Sequence, residues 1–302
     1  MSLPALKADL WRACTQLREV LTTRRLDRLS EVAFPFGFRW CEAPSPELVC
    51  YDCGQSADVQ RLLAQGIVSL TQSEHGTGNC VWLAPGAQVA GLTLRFERSH
   101  CHVVVGPGRA VRGTLRLCGH HSLVLLGASS HAPITMNLEV MGEGNAFVLA
   151  QHATTWGSNF TLGGKGRLMA LGEHAMLAIQ TAVLNHDLHP MFFLSEPTQV
   201  INPPRDQLLF PHVWLARQVQ VVKADMGYGA IAGTMSLVNR DVHPCTLVGG
   251  IPARVLRTGV SFDRSLSQCQ PETLARLKQY KAAFSGLFPD TPLALPNPES
   301  GS

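Results

Sequence analysis

The stretch Asn185-His186-Asp187-Leu188-His189-Pro190 sets two imidazoles around one carboxylate, and it is the segment best equipped to move a proton. An imidazole titrates near neutral pH, so it can take a proton from a hydroxyl and return it. Asp187 can orient such a ring or shape a turn, and a lone histidine is more often a satisfied surface or corner residue. Trp214 offers a single indole N–H donor, unless its ring is simply packed. Farther on, Ala253-Arg254-Val255-Leu256-Arg257 carries two guanidinium groups whose planar forks suit phosphate oxygens, with Arg240 and Lys223 as weaker cations. His131, His152 and His174 each precede an alanine, and a metal site built from them would need converging donors and an open position. A repeat ladder needs neither. The Cys50/Cys53 pair has no second CxxC partner, so core or turn cysteines are expected there rather than a zinc knuckle.

These side chains must be held by what surrounds them. From Val81 the texture is one of short apolar runs separated by Gly, Pro and polar residues: VWLAPG, VVVGPG, VLLGAS, FVLAQH and LMALGE, beginning at Val81, Val103, Val124, Phe147 and Leu168. The interval is nearly constant at 21 to 23 residues, as stacked coils require when each is too small to bury its own face. Asn137 and Asn159 recur in a second register, which stacks like residues about 4.8 Å apart. In the later coils Val213 and Val219, then Ile231 and Leu237, fall six apart, with Asp225 as the polar interruption. Six residues per face and three faces per coil make a triangular prism, a mainly β parallel β-helix. The loop of the two imidazoles stands where earlier coils have the glycine corners GEGN and GGKG.

Apolar positions Leu6, Leu10, Leu17, Val20 and Leu21 predict an N-terminal helix, Ser56 to Gln65 a short one, and Pro271 to Phe284 a C-terminal one. Pro35, Pro44 and Pro46 break the stretch between the first two, and a Pro-rich, mobile end is expected after Phe288. The organisation expected is an N-terminal helical and mixed accessory region over 1–77, the β-helix over 78–260, and a helix and tail over 261–302. With 45% hydrophobic and 16% charged residues, a net charge of +3 and no block of like charges, the composition excludes disorder and a nucleic-acid footprint. No apolar run is long enough for a membrane span, and Lys7, Asp9 and Arg12 interrupt any signal-peptide core, so a cytoplasmic setting is expected. Nine scattered cysteines fit reduced thiols there.

Residues 187 to 264 resemble the hexapeptide-repeat acetyltransferases, particularly those that O-acetylate capsular and other cell-surface polysaccharides. NHDLHPMF, INPPRDQLLFPHVWLA, GAIAGTMSLVNRDV and CTLVGGIPARVLRTGVSFDR follow the family's Asp-x-His-Pro, Ile-Asn-Pro, His-Val-Trp-Ile-Gly, Gly-Ala-Val-Ile-Gly-Ala-Gly-Ser and Asn-Pro-Ala-Arg in order. Ala216 stands for a family Gly, Thr234 and Met235 for small residues, and Ile251 for the Asn. The resemblance implies a left-handed β-helix, acetyl-CoA as donor, no metal, and a glycan acceptor. It implies His189 as base with Asp187 and Trp214 in the catalytic set, His186 being the alternative base. Asn185 and His186 would meet the acceptor, and Ala216, Arg217, Thr234, Arg240, Arg254 and Arg257 the coenzyme. It also implies a homotrimer whose site lies between subunits. An N-acetyltransferase acting on an amino nucleotide sugar, a metalloenzyme resembling the γ-class carbonic anhydrases, and a scaffold without catalysis are the other readings.

Overall fold

The computed structural model describes residues 1–42, 47–74, 76–108, 110–129 and 134–288. Pro44, Pro46, His131 and the Pro-rich end beyond Phe288 lie outside the described residues. The chain is mainly β and forms a left-handed parallel β-helix with three helical additions.

One face of the prism stacks Cys80–Leu83, His102–Val105, Leu123–Leu126, Ala146–Leu149, Leu168–Leu171 and Gln207–Leu209, all parallel. We term it face I. Every residue of these strands is buried, which an ordinary prism face would not require. The cause is a double covering. Val103, Val105, Leu149 and Leu171 fill the prism, whereas Val104, Leu125, Val148 and Leu208 point outward onto Leu6, Leu10, Leu17 and Leu21 of helix α1 (Leu3–Thr22). Uninterrupted apolar runs are what a sheet buried on both sides needs. Ser2 caps α1, its hydroxyl accepting from the Ala5 N–H at 3.3 Å.

The repeat holds with one correction. Phe147 pairs with Met169, not with Leu168, so that interval is a residue longer than the apolar runs imply.

The other two faces begin as one. Val111–Leu117 and Ile134–Val140 are single long strands that alternate buried and exposed residues. Thr154–Leu162 continues them, bulged between Trp156 and Ser158, where Gly157 adopts φ +92°. Beyond this bend the sheet divides. Met176–Leu177, Trp214–Leu215, Ile231–Ala232 and Thr246–Gly250 form face II, and Ala182–Leu184, Gln220–Val222 and Leu237–Val238 form face III. The six-residue period is present, displaced by one. Ile231 pairs with Trp214 and Leu237 with Gln220, so both lie on the outer side while Ala230, Ala232 and Val238 line the interior.

Corners need left-handed backbone, and this chain takes it from non-glycine residues. His152, His174 and His212 turn face I into face II at φ near +60°, and Gln180, Gln218 and Met235 turn face II into face III at +59°. His152 and His174 stack with ring centroids 5.0 Å apart, as a ladder. Among the described residues no cluster of three His, Cys, Asp or Glu is placed to hold a metal. Asn137 donates to Asn159 at 3.1 Å, the second ladder expected from the repeat.

Ser69–Gln72 already pairs in parallel with Leu92–Phe96, so stacking starts before residue 78. Val49–Asp52 runs antiparallel to Cys80–Leu83 and closes face I at its first edge; Cys50 and Cys53 lie on or beside this strand as free thiols. The short helix α2 spans Ser56–Ala64 and the last, α3, Pro271–Phe284. Tyr280 and Phe284 of α3 join Phe38, Phe210 and Tyr228 on the outer side of face I.

Asp225, the polar interruption in the late coils, ties the N-terminus to the prism. It is 4% exposed and accepts from Lys7 Nζ at 2.7 Å, Arg205 at 2.8 Å and the Leu208 N–H at 2.7 Å. Removing one partner of a buried ion network strands the others. Asp225→Ala is therefore expected to lower unfolding free energy by about 3 kcal/mol, and Lys7→Met by less, read from denaturant midpoints. Equal, sub-kilocalorie effects from both would contradict this account.

Candidate active site

The loop carrying the two imidazoles leaves the prism at the corner from face III to face I, between Ala182–Leu184 and Gln207–Leu209. Its base is rigid. Asn185 is fully buried and spends its amide on the backbone, accepting from the Gly163 N–H at 2.7 Å and donating to the Gly163 and Arg205 carbonyls at 3.0 Å. His186 is 7% exposed; its Nδ1 accepts from the Leu188 N–H at 2.9 Å, and Nε2 is buried. A Cβ on Gly163 would sit 2.5 Å from that Nε2, so only glycine leaves room for the ring. Burial lowers the His186 pKa. Asn185 and His186, expected at the acceptor, are thus the foundation of the loop. The His186 Nδ1 is engaged, and its Nε2 is enclosed without a hydrogen-bond partner among the described residues.

Beyond this foundation the loop is exposed, and His189 with it. The imidazole makes no hydrogen bond among the described residues. Asp187 does not orient it: the carboxylate accepts from Asn202 Nδ2 at 3.0 Å and Lys223 Nζ at 3.1 Å. Burial opposes the Asp187 charge, but those two bonds outweigh it and keep the carboxyl below its usual range. Asn202 is the latch that motif reading passed over, although it lies in the INPP segment. One buried amide donates to Asp187 and to the His189 carbonyl at 2.9 Å and accepts from the Met191 N–H at 2.6 Å. The loop is shaped by Asn202 rather than by a carboxylate–imidazole pair.

Past His189 the loop forms a two-stranded hairpin, Phe192–Phe193 against Glu196–Val200, every residue of it exposed. Leu188, Met191, Phe192, Phe193 and Leu194 show apolar surface to solvent, Leu194 at 93% exposure.

Trp214 lies on face II, next to the corner made by His212. Its ring tilts against Phe262 at 5.4 Å, it is half-buried, and its indole N–H makes no hydrogen bond among the described residues. His212 is buried; Nε2 meets the Phe262 carbonyl at 2.9 Å and the ring stacks on Phe262 at 4.3 Å. Arg264 clasps the same edge, donating to the carbonyls of His152, His174 and Ala175.

The corner from face II to face III is different again. Ala178, Ala216, Gly233 and Gly249 follow one another in register, and small side chains there leave the backbone open. Arg217 and Thr234 are exposed beside them, and Arg254 lies on Ala253–Thr258, paired with Gly249. Arg257 pairs with Leu247 on the same strand. Ala216, Arg217, Thr234 and Arg254 therefore belong to one edge, and Arg257 lies beside it in the column of Trp214. Arg240 does not: it follows Leu237–Val238 toward the opposite corner, and Lys223 is engaged with Asp187. Within one chain, the His189 loop leaves from the corner between faces III and I, whereas Trp214 lies on face II beside this edge, in the column of Arg257.

No family model matches the chain. Over 153 residues, half of this chain and 69% of the other, it is 26% identical to a polysialic acid O-acetyltransferase of Neisseria meningitidis. It is 33% identical over 75 residues to a chloramphenicol acetyltransferase of Agrobacterium fabrum, matching 36% of that protein's length. Two solved structures share the fold: the polySia-specific acetyltransferase NeuO, at TM-score 0.57 and 20% identity over 70% of this chain and 97% of that one, and the polysialic acid O-acetyltransferase OatWY, at TM-score 0.59 and 18% identity over 70% and 99%. Among the described residues no helix is long and apolar enough to cross a membrane. The motifs, the coil geometry and these likenesses agree: the chain is an acyltransferase with a left-handed β-helix fold, similar to the polysialic acid O-acetyltransferases.

Proposed function

We propose that this chain transfers an acetyl group from acetyl-CoA to a sugar hydroxyl of a capsular or other cell-surface polysaccharide, working in the cytoplasm, with His189 as general base. The observation that carries the base assignment is the contrast between two imidazoles three residues apart: His186 is buried with its nitrogens occupied or enclosed, and His189 is exposed on a latched loop. The acceptor class rests on the likeness to polysialic acid O-acetyltransferases. Acetyl-CoA supplies an activated acyl group; the chain supplies an imidazole to take the hydroxyl proton and an unspent indole N–H at Trp214 to donate to developing negative charge. Arg254 and Arg257 suit the coenzyme phosphates.

A trimer accounts for the separation, within one prism, of the His189 loop from Trp214 and the arginines. Helices cover face I, so faces II and III are the ones left for neighbours, and the apolar hairpin beyond His189 is surface that a neighbour would bury. The His189 loop of one copy would then meet Trp214 and the arginines of the next. Incubation with acetyl-CoA and a panel of oligosaccharides should add one acetyl mass to an acceptor hydroxyl; an acetylated amine would identify the amino-sugar reading instead. Co-expression of His189→Ala with Trp214→Ala chains should restore part of the activity that each lacks alone, because mixed trimers contain intact sites. Light scattering showing a fully active monomer would overturn the shared site.

A further inference from the structure

Trp156 is 53% exposed on the outer side of a coil strand, and its place in the register gives it meaning. It pairs with Thr135, which pairs with Arg112; in the other direction the same column continues through Ala178, Ala216, Gly233 and Gly249. Trp156 thus stands at one end of the edge whose other end carries Arg254. Two rungs, about 10 Å, separate it from Ala216.

The surroundings of Trp156 are open. A Cβ on Gly157 would meet nothing within 4 Å. On the outer side, Thr135 offers a hydroxyl and Arg112 an exposed guanidinium with no ion-pair partner among the described residues. Four residues along the same strands, Glu97 and Glu139 are both engaged by Arg116 at 2.7 Å and leave Arg112 unpaired with either. An exposed indole face, a hydroxyl and an unspent cation thus follow one another at rung spacing on a flat sheet. A pyranose ring presents C–H groups that stack on an indole face, and a carboxylate two rungs farther on would meet a planar fork of donors.

We infer that the column Trp156–Thr135–Arg112 is a binding subsite for the acceptor chain, holding an acidic polysaccharide along the early coils while one of its sugars reacts. This rests on the transferase reading above and adds to it where the polymer lies and why an acidic one is preferred. A nucleotide is the competing occupant by chemistry, but the coenzyme's cations stand at the far end of the edge.

The test uses the full-length protein, with oligosialic acid, oligogalacturonate and neutral dextran as probes. Trp156→Ala should raise KM for the acidic acceptor about 10-fold and leave KM for acetyl-CoA unchanged. Trp156→Phe should recover most of that loss, and Arg112→Gln should weaken acidic acceptors only. Without acetyl-CoA, oligosialic acid or oligogalacturonate should change the protein's tryptophan fluorescence, dextran should not, and Trp156→Phe should abolish the change. Binding of this kind without any acetyl transfer would leave the subsite standing and remove the transferase reading. Unchanged acceptor KM in both Trp156→Ala and Arg112→Gln, a raised acetyl-CoA KM instead, equal binding of dextran, or an altered oligomer mass in Trp156→Ala would each overturn the inference.

Discussion

Replacing His189 with alanine is expected to lower acetyl transfer by about 10²–10⁴-fold, the range that a positioned general base contributes, with folding and acetyl-CoA binding intact. The side chain is exposed and bonds to nothing among the described residues, so its loss leaves no cavity and no orphaned partner. His186→Ala is expected to do the reverse. Its ring fills the space over Gly163 and its Nδ1 holds the Leu188 N–H, so truncation opens a void beneath the loop and frees a buried donor. Stability should fall, and transfer per folded molecule should fall much less than in His189→Ala. Activity assays corrected for folded fraction by circular dichroism separate the two. Near-wild-type transfer by His189→Ala would remove it from the base role.

Acidification is expected to destabilise the protein from about pH 6.5 downward, well before carboxylates begin to titrate. Burial pushes His174 down to about 2 and His212 to about 4, with the Arg276 charge adding to both shifts. In the unfolded chain each imidazole binds a proton near its ordinary value of 6.5, whereas the native state refuses it. Stability is therefore full above pH 6.5 and falls by about 1.4 kcal/mol per imidazole for each unit below it, until the native pKa is reached. Two such groups amount to about 4 kcal/mol at pH 5, a drop in Tm on the order of 10 °C. Melting curves at pH 7.5 and pH 5 read it directly. The double variant His174→Gln, His212→Gln should flatten the dependence, and glutamine is suited to the position because Gln180 and Gln218 already take the same backbone conformation at the next corner. A wild-type Tm equal at the two pH values would refute the argument.

The fold was largely legible because its signal is periodic. The apolar runs at Val81, Val103, Val124 and Phe147 are true register partners, and α1 and α3 fall where the apolar spacing puts them. The slips at Leu168, Ile231 and Leu237 share a cause: hydrophobicity does not say which side of a strand is inward when Trp214 or a covering helix makes the outer side apolar too. At the site, motif spacing found the loop but not its internal bonding. Asn185 and Asp187 look like ligand-facing polar residues in a linear string, and only the folded corner shows that the first is spent on Gly163 and the second on Lys223 and Asn202. Trp156 was invisible for the opposite reason. It lies within no motif, and its significance comes from a register that links it to Ala216 through strands far apart in sequence.

The antiparallel strand Val49–Asp52 on the first rung of face I has a counterpart at the other end, where Ala253–Thr258 folds back against Thr246–Gly250. A stack of parallel rungs has no intrinsic length; either open end is a template on which another chain can add. Reversing the strand direction on face I at one end and on face II at the other spoils part of that template, because the next parallel rung there finds the wrong hydrogen-bond pattern. Two short terminal segments thus guard one face at each end against edge-to-edge growth, a task the repeating coils between them do not perform.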